Sequence, residues 1–150
     1  MIKLNEKCPD FEISNQKGET FRQKHLIGKI SVLFFYPKNF TPGCTKEACS
    51  FRDNYSEFKE LGCQVVGISG DDPLSHQKFQ EKFNLPYQTY ADLKNKFRKS
   101  LALPGNLFGL IPGRVTLIFD QKAVLKGSFV SQLNTQGHID FALSKVKEIV

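Results

Sequence analysis

The sequence predicts an α/β protein in which helices flank a central, mixed β-sheet. Three segments rich in β-branched and aromatic residues predict buried strands at residues 30–36, 64–69 and 115–120. Stretches of helical composition, preceded by capping residues, lie between and after these segments, as in proteins with parallel crossovers. A fourth strand, at residues 124–130, follows the third after a short polar turn, so these two are expected to form an antiparallel hairpin.

The first element along the chain is a smaller hairpin. Residues 11–14 and 19–22 flank a polar four-residue turn, residues 15–18, which ends in glycine. We therefore expect an N-terminal β-hairpin before the first long strand.

The first helix is predicted to begin just after residue 41. Thr41 is a suitable N-cap and Pro42 a suitable first helical residue, so Cys44 falls in the first turn. Apolar residues spaced by three and four continue to Leu61, and Gly62 ends the pattern. Cys44 shares the apolar side of this helix and is expected to face the interior.

Three later helices complete the order of elements. Asp72 is the expected cap of a helix over residues 74–83, and Asp92 is that of a run toward Leu101. Thr135 is the expected cap of the last helix. The resulting order of strands and helices predicts a thioredoxin-like fold.

Length and charge limit the function classes. The 150 residues are enough for one core, so we expect a single domain over residues 1–150. The net charge of +6 is spread along the chain, and the densest basic stretch, residues 94–99, is typical of a solvated helix face rather than a nucleic-acid surface. No run approaches the roughly 18 apolar residues of a membrane span. We expect a cytoplasmic protein, although a mature organellar form would look the same.

Four cysteines make redox chemistry the leading hypothesis. A chain of this length without a signal peptide does not need disulfides for stability, and the spacing of the cysteines and histidines does not favour a zinc site. Cys8 and Cys63 are interpreted as packing residues, since a free cysteine is commonly a small buried hydrophobic side chain. The same interpretation stays open for Cys44 on composition alone.

The position of Cys44 in the first turn of a helix favours its ionised form. The free N–H groups and the positive end of a helix dipole stabilise a thiolate in the first turn, and the thiolate is the nucleophile. Cys49 is turned from Cys44 by about 140°, which puts their Cα atoms about 8.7 Å apart. A disulfide tolerates roughly 7 Å, so a catalytic disulfide between them requires the first turns to unwind.

Pro37, Thr41 and Cys44 stand in the spacing P-x-x-x-T-x-x-C, and the helix continues Cys44-Thr-Lys-Glu-Ala-Cys49. In these residues the chain resembles the peroxiredoxins, specifically the peroxiredoxin Q or bacterioferritin-comigratory-protein subfamily. The resemblance implies a thiol peroxidase for hydrogen peroxide and alkyl hydroperoxides, with Cys44 as the attacking thiolate and Cys49 as the resolving thiol. It also implies a monomer recycled by thioredoxin or a similar dithiol protein, without cofactor or metal.

The resemblance assigns three more residues. Arg114 matches the family's active-site arginine and is expected to stabilise the thiolate and the peroxide oxygens. Thr41 is expected to cap the helix through its oxygen while its hydroxyl orients the peroxide, and Pro37 to shield the site from water. Glu47 recurs in the subfamily but is expected to face solvent, so it is left outside the catalytic set.

Two alternatives remain. A thiol-disulfide oxidoreductase on the same fold would normally carry a C-x-x-C pair, which this sequence lacks. A redox-regulated holdase chaperone or a basic nucleic-acid-binding module would keep its activity after loss of Cys44. The apolar segment at residues 103–113 is a candidate docking surface for the reductant or, equally, a cover for the core.

Overall fold

The computed structural model describes residues 1–106 and 111–150. The strands are β1 (Glu12–Ser14), β2 (Thr20–Arg22), β3 (Ile30–Phe35), β4 (Cys63–Ser69), β5 (Gln88–Ala91), β6 (Gly105–Asn106), β7 (Ile111–Pro112), β8 (Val115–Phe119) and β9 (Leu125–Val130). The helices are α1 (Pro42–Asp53), α2 (Tyr55–Glu60), α3 (Pro73–Phe83), α4 (Lys96–Ser100) and α5 (Thr135–Ile149).

Seven strands form the main sheet, in the order β2-β1-β5-β4-β3-β8-β9. The central strands β3, β4 and β5 are parallel, whereas β8 and β9 continue the sheet in antiparallel pairings. The predicted mixed sheet and the predicted hairpin of β1 and β2 are thus confirmed. Strand β5 is missing from the sequence prediction, because four residues that begin with an exposed glutamine give too short a periodic signal.

Strand β3 lies at the centre of two apolar layers. All six of its residues are buried, which is why its sequence is apolar at every position except Ser31 and does not alternate. On one face Leu33 and Phe35 pack beneath the N-terminal hairpin and α4. On the other, Phe34 stacks on Phe51 of α1 with ring centroids 4.4 Å apart. The sheet therefore supports α1 directly.

The predicted first helix is interrupted once. Asn54 leaves the helical conformation, with φ −107° and ψ 8°, and separates α1 from α2. Its side-chain amide donates to the carbonyl oxygen of Ser50 at 2.8 Å. Asparagine side chains compete with the backbone for such hydrogen bonds, which explains why the prediction of one continuous helix was wrong. The predicted end at Gly62 is confirmed, since this residue adopts a left-handed φ of 73°.

One of the three later helix starts agrees with the sequence prediction in full. Asp72 caps α3 and accepts a hydrogen bond from the Ser75 N–H at 2.8 Å. The N-cap of α4 is Asn95 rather than Asp92, although the Asp92 carboxylate accepts two backbone N–H groups of the first turn of α4. The cap of α5 is Asn134 rather than Thr135, because the Asn134 side chain accepts the N–H that the cap must satisfy.

The basic stretch at residues 94–99 contains one buried side chain. Arg98 is 7% exposed and donates to the carbonyl oxygens of Pro104 and Gly113, so the interpretation as a wholly solvated face was wrong. These carbonyls flank the short pair of β6 and β7. The predicted docking segment at residues 103–113 includes residues 107–110, which lie outside the described residues, and that prediction stays untested. Within the described ranges, none of the helices has the length and hydropathy needed to cross a membrane.

Candidate active site

The start of α1 places Cys44 at the edge of the core. Thr41 occupies the N-cap position in an extended conformation, and Pro42 is the first helical residue, as predicted. The first helical hydrogen bond runs from the Thr45 N–H to the Thr41 carbonyl at 2.9 Å, so the N–H groups of Gly43 and Cys44 precede the helical ladder. The Cys44 side chain is 1% exposed, which confirms that it faces the fold.

The side chain of Thr41 does not cap the helix. Its hydroxyl donates to the carbonyl oxygen of Lys38 at 2.8 Å, within the loop that precedes α1. The expectation of a side-chain cap was therefore wrong, and the hydroxyl braces the loop instead. Pro37 is half-buried in the same loop.

Arg114 lies directly beside the sulfur of Cys44. Its Nη1 donates to the Cys44 Sγ at 3.5 Å and to Glu47 Oε1 at 2.8 Å, while its Nε donates to the Gln132 carbonyl at 3.2 Å. The side chain is 4% exposed. A Cβ at Gly43 would lie 2.9 Å from Arg114 Nη2, so a side chain at that position would displace the guanidinium from its place beside the sulfur. The structure thus brings together two residues that are 70 positions apart.

Glu47 is buried, contrary to expectation. The side chain is fully enclosed and forms an ion pair with Arg114. Its position three residues after Cys44 places it on the same helix face, and this spacing was the signal that the sequence analysis missed. Burial raises the pKa of Glu47 to about 7, although the Arg114 charge and hydrogen bond act in the opposite direction.

His138 of α5 completes the buried polar cluster, and the sequence analysis did not select it. Its Nδ1 lies 2.7 Å from Thr116 Oγ1 and 3.6 Å from Glu47 Oε2, and its Nε2 lies 2.8 Å from the Ser131 carbonyl. Burial lowers the pKa of His138 to about 4, against the opposing effect of the Ser131 hydrogen bond. The available signal was the position of His138 in α5. It directly precedes Ile139 and lies one helical turn before Ala142, and both of these residues are on the buried face.

The two cysteines of α1 have different surroundings. Cys49 is half-buried, five positions further along the unbroken helix, and both thiols are free. Burial raises the pKa of Cys49, while the nearby Arg52 lowers it and Asp53 raises it. Cys8 and Cys63 are also free and buried, and burial raises the pKa of each to about 12, which fits the packing role expected of them.

Two contacts fasten the middle of α1. The Tyr87 hydroxyl donates to the Ala48 carbonyl at 2.6 Å, and Arg52 Nη1 donates to the Phe83 carbonyl at 2.8 Å. Both partners lie at or just beyond the end of α3. The turn between the two cysteines is therefore held from the side by a neighbouring segment of the chain. Over the described ranges, no three His, Cys, Asp or Glu side chains converge as ligands of a metal ion would.

Comparison with known proteins gives a consistent result. Residues 4–128 match the model of the AhpC/TSA family. The chain is 44% identical to the chloroplastic peroxiredoxin Q of Populus jackii over 141 residues, which cover 94% of this chain and 66% of the relative. The same protein of Arabidopsis thaliana is 44% identical over 146 residues, covering 97% and 68%. The chain thus spans about two thirds of the length of these plant relatives.

A solved structure covers the whole chain. The crystal structure of peroxidoxin BcpB from Mycobacterium tuberculosis superposes with a TM-score of 0.90 at 34% identity, over 100% of this chain and 99% of that one. Together with the observed strand order, this superposition confirms the predicted thioredoxin-like architecture.

Proposed function

The chain belongs to the AhpC/TSA family, in its peroxiredoxin Q branch, and from this premise we propose that it is a thiol peroxidase in which Cys44 reduces hydrogen peroxide and alkyl hydroperoxides. One observation carries the proposal: the guanidinium of Arg114 lies 3.5 Å from the Cys44 sulfur at the amino end of α1. A permanent positive charge and free helix N–H groups both favour the thiolate, which is the reactive form of cysteine.

The proposed first step is a nucleophilic displacement. The Cys44 thiolate attacks the distal oxygen of the hydroperoxide, so that an S–O bond forms as the O–O bond breaks. Sulfur loses two electrons and the peroxide gains them, giving a sulfenic acid and an alkoxide or hydroxide that takes up a proton and leaves as alcohol or water. Arg114 and the N–H groups of Gly43 and Cys44 face the place where this negative charge develops.

The proposed second step joins the two cysteines of α1. The Cys49 thiolate attacks the Cys44 sulfur, an S–S bond forms, and the hydroxyl of the sulfenic acid leaves as water after protonation. Because an intact helix holds their Cα atoms about 8.7 Å apart, the first turns of α1 unwind before the bond forms. Pro37 shields the reacting sulfur from water, and the Thr41 hydroxyl, now bound to the Lys38 carbonyl, lies ready to turn toward the peroxide.

Recycling is proposed to use thioredoxin or a similar dithiol protein. Two thiols reduce the Cys44–Cys49 disulfide by exchange, and the unwound helix exposes that disulfide to the partner. The family supports peroxide substrates and thioredoxin-like reductants in general, whereas the particular reductant and the monomeric state are part of this proposal. The cytoplasmic location stays a prediction, since the plant relatives are chloroplastic proteins.

The test is a mass spectrum of the reduced protein after one equivalent of hydrogen peroxide. We expect a Cys44–Cys49 linkage in the wild-type protein, and peroxide consumption with thioredoxin that falls to the background rate in Cys44→Ser. Cys63→Ser is the matched control, because it removes another buried thiol, and it should keep the linkage and the turnover. Full turnover by Cys44→Ser would refute the proposal and would favour a function that does not depend on this thiol.

A further inference from the structure

A buried polar cluster adjoins Arg114 and shares its Nη1 with the Cys44 sulfur. It joins three elements, with Glu47 from α1, Thr116 from β8 and His138 from α5, and all three side chains are fully enclosed. The proposed displacement by Cys44 assigns no task to Glu47 or to His138. Two ionisable side chains in a site without solvent are costly to bury, so their arrangement calls for a physical account.

The hydrogen bonds fix the tautomer of His138. The Ser131 carbonyl can only accept, so the ring nitrogen 2.8 Å from it, Nε2, carries a hydrogen. In the neutral ring Nδ1 is then an acceptor with one lone pair, for which the Thr116 hydroxyl, 2.7 Å away, and a protonated Glu47 are the two competing donors. The lone pair of Nδ1 therefore borders Glu47 Oε2 at 3.6 Å.

That carboxyl oxygen has no donor of its own. Among the described residues, none donates a hydrogen bond to Glu47 Oε2, although the atom is completely buried. An ionised carboxylate would leave this oxygen facing a nitrogen lone pair in a site without water, which is unfavourable. A single proton on either Glu47 or His138 removes the conflict. Burial raises the pKa of Glu47 and lowers that of His138, which places the proton on the carboxyl.

We propose that Glu47 and His138 hold one proton between them, and that this buried pair controls how strongly Arg114 is drawn away from the Cys44 sulfur. One guanidinium nitrogen, Nη1, donates hydrogen bonds to both groups, to Glu47 Oε1 at 2.8 Å and to Cys44 Sγ at 3.5 Å. With the proton present, the guanidinium charge is available to the Cys44 thiolate. Loss of the proton creates a carboxylate that competes for the same nitrogen, so His138 acts as a positioning residue through Glu47.

Besides the arginine and the histidine, three ionisable side chains lie near the carboxyl. The groups that face it from the packed elements are Arg114, His138, Cys44, Tyr36 and Tyr87. Burial raises the pKa of both tyrosines well above the ordinary value, so they stay neutral near pH 7. The Cys44 sulfur and the Glu47 carboxyl therefore share the hydrogen bonds of one guanidinium nitrogen.

The inference rests on the proposed function, but its test does not require peroxide. The thiolate of Cys44 is followed by ultraviolet absorbance as a function of pH, with the contribution of the other cysteines removed by substitution. We expect two steps in the wild-type background, because loss of the Glu47 proton changes how much of the Arg114 charge reaches Cys44. In Glu47→Gln the second step should be lost and the remaining step should lie where the first step lies in the wild type, since a neutral amide, like the protonated carboxyl, leaves the guanidinium to Cys44.

The role of His138 has a separate readout. His138→Asn should shift the second step of the Cys44 titration, because the carboxyl proton loses the Nδ1 acceptor; an unshifted step overturns the proposal. His76→Asn is the matched control: His76 is equally buried but bonds to Ser69 and Thr89, so both steps should keep their wild-type positions.

A measurement on the unsubstituted protein guards against variants that fail to fold. Nitrogen-15 spectra of the His138 ring should show the Nε2–H tautomer and a change at Nδ1 near the pH at which Glu47 loses its proton, about 7. Ring signals that stay constant from acidic to alkaline pH would overturn the proposal. If these steps are found but hydrogen peroxide is not reduced, the proposed function fails while the shared proton stands.

Discussion

The two cysteines of α1 lie on one helix but in opposite environments. Cys44 is enclosed, beside a guanidinium and the free N–H groups of the first turn. Cys49 is half-buried, and its surroundings raise its pKa. In the proposed mechanism, Cys44 reacts with the peroxide and Cys49 has to move to reach it. The first is held in a fixed electrostatic site, and the second depends on motion of the helix.

The largest expected effect on the reactivity of Cys44 is that of a substitution at Arg114. In Arg114→Lys a point charge replaces the fork that contacts the sulfur, Glu47 and the Gln132 carbonyl, so the rate of Cys44 oxidation by hydrogen peroxide should fall about 100-fold. Competition kinetics against a reference peroxidase measures this rate. Arg98→Lys is the control, since Arg98 is similarly buried but binds the Pro104 and Gly113 carbonyls, and its rate should match the wild type.

The next effect separates the two roles directly. In Cys49→Ser the first oxidation of Cys44 should keep its rate, because nothing around the Cys44 sulfur changes. Turnover with thioredoxin should fall at least about tenfold, and excess peroxide should convert the unresolved sulfenic acid to the sulfinic acid. Intact-protein mass spectra count the added oxygen atoms. A Cys49→Ser protein with wild-type turnover would show that another thiol resolves Cys44.

The smallest effect tests how the helix opens. Tyr87→Phe removes the hydroxyl that donates to the Ala48 carbonyl between the two cysteines. A buried hydrogen bond of this kind contributes about 1 kcal/mol, so the opened helix should be roughly fivefold more populated. Formation of the Cys44–Cys49 disulfide should then accelerate by up to this factor, with less sulfinic acid under excess peroxide.

Quenched-flow sampling with a thiol trap follows this disulfide. Tyr55→Phe serves as the control, because the Tyr55 ring packs beside Tyr87 at a centroid distance of 6.0 Å. Slower disulfide formation in Tyr87→Phe would contradict the view that this contact holds the helix closed.

The sequence predicts the fold well where long apolar segments carry the signal. Strands β3, β4 and β8 are mostly apolar and mostly buried, and the start of α1 follows from a threonine and a proline. Strand β5 was missed because it has four residues, and the break at Asn54 because its cause is one side-chain hydrogen bond. Short elements depend on tertiary contacts that periodicity does not record.

The site was predictable in part, for a different reason. Cys44 could be selected from its local context, whereas Arg114 was selected only through the family spacing. Glu47 and His138 were missed because the burial of a charged or titratable side chain depends on distant partners: the Glu47 contact with Arg114 spans 67 positions. Single-sequence patterns assign such side chains to the surface by default.

The break at Asn54 limits how far α1 has to come apart. Beyond it, α2 forms a separate short helix with Phe58 fully enclosed in the core. The first turns of α1 can therefore unwind in the proposed cycle while Phe58 and the hydrophobic layer beneath α2 remain packed. The proposed opening thus remains a local event that the rest of the fold does not have to share.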